Sequence, residues 1–352
     1  MNNRLLKSPS GDGAGATSVR RRRPHLRWLP LQVFGGAALS VLLGWLIAQG
    51  LELDQVLGDL RDFPLYFFAL ALGAFLLALL LRAWRWWVLF LGSPVGLRRL
   101  FLIQNAGVGL NNVSPVRVFG EAVELVLLSR QPGVSASLAL ATLATDHLMD
   151  LLVTAGVLGV ALFTVPELRR LSLPVGAGVL LAAASVAALA LLATGIPVLP
   201  GLRRLGFLRG ALAGIRTLNA SRLRLGLSFL GTLAYWGMLG LSGWFVGQGL
   251  GIEMEAAALV ALLAGSLFFV SAVPSLPGGA VTFEIAVIYT LGLFDVPRGS
   301  ALVFALVTHI IMFLPSTVIA GLVLPREGIK LFGRWRSVLS SANGPNAGPR
   351  PS

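Results

Sequence analysis

Long apolar runs alternate with short polar stretches along this chain, and the runs set its architecture. Apolar segments cover about 31–51, 63–81, 135–165, 173–199, 225–250 and 300–324. Each is long enough to cross the bilayer core as a helix, which takes about 20 residues for about 30 Å of hydrocarbon. Two further apolar segments are interrupted. Between Arg99 and Arg117 the chain carries Asn105, Gly107, Gly109, Asn111, Asn112 and Pro115, and between Glu255 and Asp295 it is broken at Pro274, Pro277, Gly278 and Gly279. Read as re-entrant hairpins, both segments enter and leave on one face. Read as kinked helix pairs, they cross twice and leave the parity of the topology unchanged. In either form, irregular backbone at that depth needs protein or a wet cavity around its polar groups.

The pattern predicts an all-α polytopic membrane protein of about six transmembrane helices plus two re-entrant helical hairpins. One membrane domain spans 31–325, flanked by basic tails at 1–30 and 326–352. The N-terminal stretch is basic ahead of an apolar run, as in a signal peptide. That run is too long for an h-region and lacks a small-residue cleavage pattern, so a retained first span is expected.

Composition supports this reading. Hydrophobic residues make up 56% of the 352 positions and charged residues 12%, against about a quarter charged in a soluble domain. The net charge of +13 gathers at the flanks of the runs: Arg20 to Arg23, Arg98 and Arg99, Arg203 to Arg224, and beyond Arg326. Arg27, Arg82 and Arg85 belong to the same flanks, and that distribution fits the positive-inside rule and anionic headgroups and argues against nucleic acid as partner. The acidic loop with Glu52, Asp54, Asp59 and Asp62 reads as external, as does that with Glu253 and Glu255. Both termini then face the cytoplasm. Cysteine is absent, which removes disulfides and thiolate chemistry. Lysine occurs only at Lys7 and Lys330, so there is no phosphate-binding loop of the Walker A type. No motif points to a cofactor or a metal.

A few ionisable residues stand inside the apolar background: Glu121, Glu124, Asp146, His147, Asp150, Glu284 and His309. A charge at mid-bilayer costs about 3 kcal/mol or more, so such positions are functional candidates. A shift of 163 residues sets Glu121 on Glu284, Ser137 on Ser300, Thr145 on Thr308, Asp146 on His309 and Met149 on Met312. Each half (about 31–165 and 173–325) reads as two spans, a broken hairpin and a span carrying an ionisable residue. With the charge-derived topology the halves are inverted, an architecture that places a binding site between broken helices near the midplane. Symmetry kept for packing alone is the other reading.

The segments Asn111 to Glu121 and Pro274 to Glu284, with Arg82-Ala83-Trp84-Arg85-Trp86 and Asp146 to Asp150, resemble the flippase-like membrane domain family, also called the lysylphosphatidylglycerol synthase transmembrane region. The resemblance covers about 31–324. It implies translocation or handling of polar-headed lipids (phospholipid, glycolipid or hopanoid) in a bacterial inner membrane. The soluble aminoacyl transferase domain of the full-length synthases has no counterpart here, so synthase activity is not carried over. The chain departs from the family pattern at Glu124 and His309, where relatives often carry Arg, and at Val281 and Phe283 beside Glu284.

Arg117, Glu121 and Glu124 are spaced to share one helix face. Arg117 suits a phosphate, with Glu121 balancing it or titrating; a solvated interfacial ion pair is the alternative, and Glu124 is expected on that solvated face. Glu284 follows the break at Pro277, Gly278 and Gly279, where a helix N-terminus would stabilise it. Asp146 and Asp150 are four apart and face together, while His147 is turned about 100° away, which disfavours a metal site. His309 reads either as a partner of this cluster or as a hydrogen-bonded core residue. Trp84 and Trp86, with Arg82 and Arg85, read as an interfacial aromatic belt.

The expected function is transport or presentation of a polar-headed lipid, with Asn111, Pro115, Arg117, Glu121, Asp146, Asp150, Pro277, Gly278, Gly279, Glu284 and His309 lining its path. A membrane-embedded lipid transferase and a non-transporting companion of a lipid-modifying enzyme are the alternatives. Self-association stays open.

Overall fold

The computed structural model describes residues 53–90, 95–114, 118–171, 222–272 and 276–328, with isolated positions between 41 and 49 and between 176 and 187. Two expected spans, 31–51 and 173–199, otherwise lie outside the described residues, as do Pro115 and Arg117. The described elements are all helical: α1 (Leu53–Arg61), α2 (Leu65–Leu89), α3 (Leu97–Val113), α4 (Val118–Ser129), α5 (Ala136–Thr164), α6 (Arg222–Gly249), α7 (Ala256–Ala272), α8 (Thr282–Gly292) and α9 (Arg298–Arg326). Short 3₁₀ segments occupy Pro166–Leu171 and Pro277–Gly279.

Four helices, α2, α5, α6 and α9, are long and apolar enough to cross a membrane. They coincide with four of the predicted spans, with one correction. The second span continues past Leu81 through Arg82 and Arg85 to Leu89, because Arg85 is taken up by Asp150, Asp146 and Thr232 of other helices and Arg82 faces an internal cavity. Local chemistry sets the helix starts. Pro64 and Pro297 precede α2 and α9, where a missing N–H leaves no bond unmade. The Ser135 hydroxyl accepts the Leu138 N–H at 3.2 Å and caps α5, satisfying one of the free donors of its first turn. The acidic loop before α2 folds in part into α1, whose Val56 is buried near the start of α9.

The spans keep much of their apolar surface on the outside. Leu65, Phe163, Val160 and Leu230 are well exposed, a surface suited to lipid and costly in water. Inside, α2 and α6 pack along their length, with Phe75, Ala78 and Leu79 against Tyr235, Trp236 and Leu239. The Ser242 hydroxyl donates to the Ala71 carbonyl at 2.8 Å within this seam.

The two broken segments are helix–break–helix units. Their helices of 17 and 12 residues, and of 17 and 11, run about 26, 18 and 17 Å. None is long enough to cross about 30 Å of hydrocarbon alone. The first unit folds back on itself, since Gly107 lies against Glu124 and Gly120 against the Gly107 carbonyl and Asn111. A Cβ at either glycine would collide with its neighbour, so these residues let α3 and α4 touch. The order long helix, broken pair, long helix occurs twice, and the packing is reciprocal: α9 closes on α3, while α5 closes on α7.

Candidate functional site

Arg85, on the inner face of α2, is fully buried and is held on several sides. Its Nη1 donates to Asp150 Oδ1 at 2.6 Å and its Nη2 to Asp150 Oδ2 at 2.5 Å, a two-pronged contact. Nη2 also reaches Asp146 Oδ2 at 3.2 Å, and Nη1 the Thr232 hydroxyl at 3.0 Å. Its Nε lies 3.2 Å from Asp146 Oδ1, off the hydrogen-bond line, so that contact is one of charge. The Tyr235 ring stands 5.3 Å from the guanidinium. The i, i+4 spacing of Asp146 and Asp150 on α5 presents both carboxylates to this one fork, the geometry that guanidinium and carboxylate share.

This placement corrects the expectation of an interfacial belt. Arg85 and Trp86 have no exposure at all, and Trp86 sits in a core with Leu89, Leu100, Ile103 and Leu127. Trp84 is half-buried beside Gly231 of α6. A buried guanidinium is tolerated because carboxylates and a hydroxyl replace the water it loses.

Arg82, one turn earlier on α2, has no hydrogen-bond or ion-pair partner among the described residues. Its Nε is buried and unpartnered, its guanidinium lies 6.0 Å from the Tyr235 ring, and it opens on a cavity of about 570 Å³. All four long helices and both broken segments contribute to that cavity. Its polar side chains include Arg82, Asn111, Glu121, Glu124, His147 and Asp150, and its apolar wall includes Phe75, Leu79, Trp236 and Phe313.

Asn111 ties down one side. Its Nδ2 donates to Glu121 Oε1 at 3.2 Å and to Oε2 at 3.3 Å, and its Oδ1 accepts the Gly120 N–H at 2.8 Å. Asn112 donates to the Phe313 carbonyl and to the Thr317 hydroxyl, both at 3.1 Å, and so fastens α3 to α9. The Ser316 hydroxyl donates to Asn105 Oδ1 at 2.9 Å in the same seam. Gly109 lies so close to the Ser316 backbone that no side chain fits there. The second break meets the first at this point, with Gly278 next to the Asn112 carbonyl and the Phe313 ring.

Of the predicted path residues, Asn111, Glu121, Asp150 and Gly278 line the cavity. Asp146 stands behind them, against Arg85. Pro277, Gly279, Glu284 and His309 are not among the residues lining this cavity. Glu284 and His309 instead bind each other, His309 Nδ1 to Glu284 Oε1 at 2.6 Å, with His309 packed between Phe283 and Phe313. Among the described residues, Glu284 Oε2 is buried without a partner. The backbone before Glu284 is tightly coiled: Gly278 and Gly279 have φ of +73° and +77°, and Val281, a β-branched residue, has +70°, an unusual and strained conformation.

Sequence reasoning placed Glu124 on a solvated face and did not single out Arg82 as a lining group; the structure makes both cavity residues, Glu124 only 5% exposed. Glu124 enters because Gly107 offers no side chain opposite it, and that Gly-to-Glu pairing across the break was the available signal. His147 also lines the cavity. Its Nδ1 meets the Leu143 carbonyl at 2.9 Å, which fixes the proton on that nitrogen. Among the described residues no group of carboxylates and histidines is arranged to hold a metal ion.

The family described as "Lysylphosphatidylglycerol synthase TM region" matches residues 33–320, most of the chain. The chain belongs to this family. It is also similar to a UPF0104 membrane protein of Methanothermobacter thermautotrophicus, 26% identical over 296 residues, covering 77% of this chain and 86% of that one. Membership makes it a multi-pass membrane protein of the lysylphosphatidylglycerol synthase transmembrane type, with the cavity, the Arg85 cluster and the fastened breaks as its polar interior.

Proposed function

We propose that the protein moves a polar-headed lipid between leaflets, the headgroup passing through the cavity while the acyl chains stay in surrounding lipid. One observation carries this reading. A cavity of about 570 Å³ holding Arg82, Glu121, Glu124 and Asp150 lies among helices whose outer faces are apolar. Ionisable groups are retained at such depth where they meet a polar ligand, because desolvating them for packing alone is unfavourable.

In this proposal the helix–break–helix units are re-entrant hairpins, and the halves are inverted repeats whose relative rocking opens the cavity to either side. The membrane is the bacterial inner membrane, with both termini cytoplasmic. A transferase reading gains less support. The paired carboxylates it would use as acid and base are both bound to Arg85, and a general base must be free to reach its proton.

The test is transbilayer movement of fluorescent phospholipid in liposomes holding purified protein. The wild type is expected to exceed protein-free vesicles at least about tenfold, and Glu121→Gln to lose most of the gain while staying folded, in line with one charge-assisted contact of about 1.5–3 kcal/mol. Wild-type vesicles that exchange lipid no faster than empty ones would refute the proposal.

A further inference from the structure

The charges lining the cavity are unequal. Among the described residues, Asp150 is held in a two-pronged contact by Arg85, which it shares with Asp146. Arg82 then stands against two carboxylates, Glu121 and Glu124. Glu121 has its oxygens on the Asn111 amide. Glu124, almost fully enclosed, has no hydrogen-bond or ion-pair partner among the described residues, and neither has Arg82. They come from different helices, α2 and α4, line the same cavity and make no ion pair among the described residues. Side chains with long reach that stay apart in a low-dielectric space leave two unsatisfied poles, which is costly unless a ligand fills them.

A ligand carrying only an anion would satisfy Arg82 and meet an acidic surplus. A ligand carrying only a cation would satisfy Glu124 and meet Arg82 on the way. A headgroup with a phosphate at one end and an ammonium at the other answers both. Guanidinium suits the phosphate oxygens. Glu124 takes the ammonium, with the Trp236 ring in the same wall as an aromatic group of the kind that attracts cations.

We infer that Arg82 and Glu124 are the two poles of a headgroup site that selects zwitterionic phospholipids, Arg82 taking the phosphate and Glu124 the ammonium. Arg85 acts as a positioning residue. By holding Asp150 it keeps that carboxylate from capturing Arg82. This inference rests on the lipid reading above and adds to it which headgroup is chosen and by which side chains.

Binding to the full-length purified protein in detergent tests it, without vesicles. The probes are short-chain phosphatidylethanolamine, short-chain phosphatidylglycerol, and free phosphoethanolamine as the soluble counterpart. Wild-type protein is expected to bind the ethanolamine lipid about tenfold tighter than the glycerol lipid, the worth of one charge-assisted contact. Glu124→Gln, which keeps the shape against Gly107, is expected to erase that preference. Arg82→Gln is expected to weaken both lipids about tenfold, with Arg82→Lys recovering part of the loss.

No headgroup preference in the wild type, or a preference that survives Glu124→Gln, overturns the site. Free phosphoethanolamine competing as well as the lipid overturns the lipid as its ligand. Should Glu124→Gln not fold, the wild-type preference and the Arg82 variants decide alone. Headgroup selection without transbilayer movement would sink the transport proposal and keep this one; movement with no selection does the reverse.

Discussion

A guanidinium enclosed in a membrane helix stays charged only if its surroundings replace the water it lost, and Arg85 has just enough. Asp150 supplies a two-pronged contact, Asp146 a single one and Thr232 a neutral oxygen. The cluster of Arg85, Asp146 and Asp150 therefore holds one more carboxylate than guanidinium. That excess ranks the effect of substitutions. Arg85→Met leaves two buried acids unpaired and is expected to cost about 3–5 kcal/mol. Asp150→Asn forfeits the better contact and costs about 1–3 kcal/mol. Asp146→Asn keeps an acceptor and leaves one charge of each sign, so it costs least. Urea unfolding in mixed micelles measures the order; equal losses at all three positions would show that the cluster does not act as described. The sequence did not reveal this arrangement because Arg85 stands among tryptophans at the end of an apolar run, the usual composition of an interface, while its partners lie 61 and 65 residues further on. The facing of Asp146 and Asp150 was legible, since it depends only on helical spacing.

Elements were easier to read than contacts, for a physical reason. A span must hide its backbone from lipid and so advertises itself as about 20 apolar residues. The breaks advertise themselves through Pro, Gly and Asn. How far a helix continues depends on partners elsewhere, which is why α2 outran its predicted end at Leu81 and runs to Leu89. Likewise, Glu284 and His309 were separately visible, but their pairing away from the cavity needed the fold of α8 against α9. At the open end of the first broken unit, three element ends are clasped together. Arg99 at the start of α3 donates to Glu327 Oε1 at 2.7 Å after α9, and Arg130 after α4 donates to the Glu327 carbonyl at 3.2 Å. The hydrogen bond from Arg99 holds the Glu327 carboxyl below its ordinary range. A depressed carboxyl stabilises the fold above its unfolded-state pKa and loses that contribution as pH falls through the folded value. The contact is partly exposed, so its worth is small, within the usual range of surface pairs. Wild-type protein is thus expected to lose slightly more thermal stability than Glu327→Gln between pH 7 and pH 3. Parallel losses in the two proteins would remove any role for the clasp.

For the whole molecule the decisive property is how the chain is threaded, because an inverted arrangement of halves is what allows one cavity to open to either side. On the topology expected from charge, Asp62 and Glu255 lie outside and the turn near Pro132 inside, and the broken units return to the face they left. The absence of cysteine makes this directly measurable, since any single introduced thiol reports without background. Asp62→Cys, Glu255→Cys and Arg298→Cys are exposed positions expected to react with a membrane-impermeant maleimide on intact cells. Pro132→Cys, equally exposed, is expected to react only after the membrane is opened. The discriminating position is Val113, at the end of α3 and 49% exposed. If α3 and α4 crossed fully, Val113→Cys would emerge on the outer face and label as fast as Asp62→Cys. If they form a re-entrant pair, it stays at depth beside the cavity and is protected from the bulky reagent. Labelling of Val113→Cys from outside would therefore remove the re-entrant hairpin, and with it the meeting of two breaks from opposite faces on which alternating access depends.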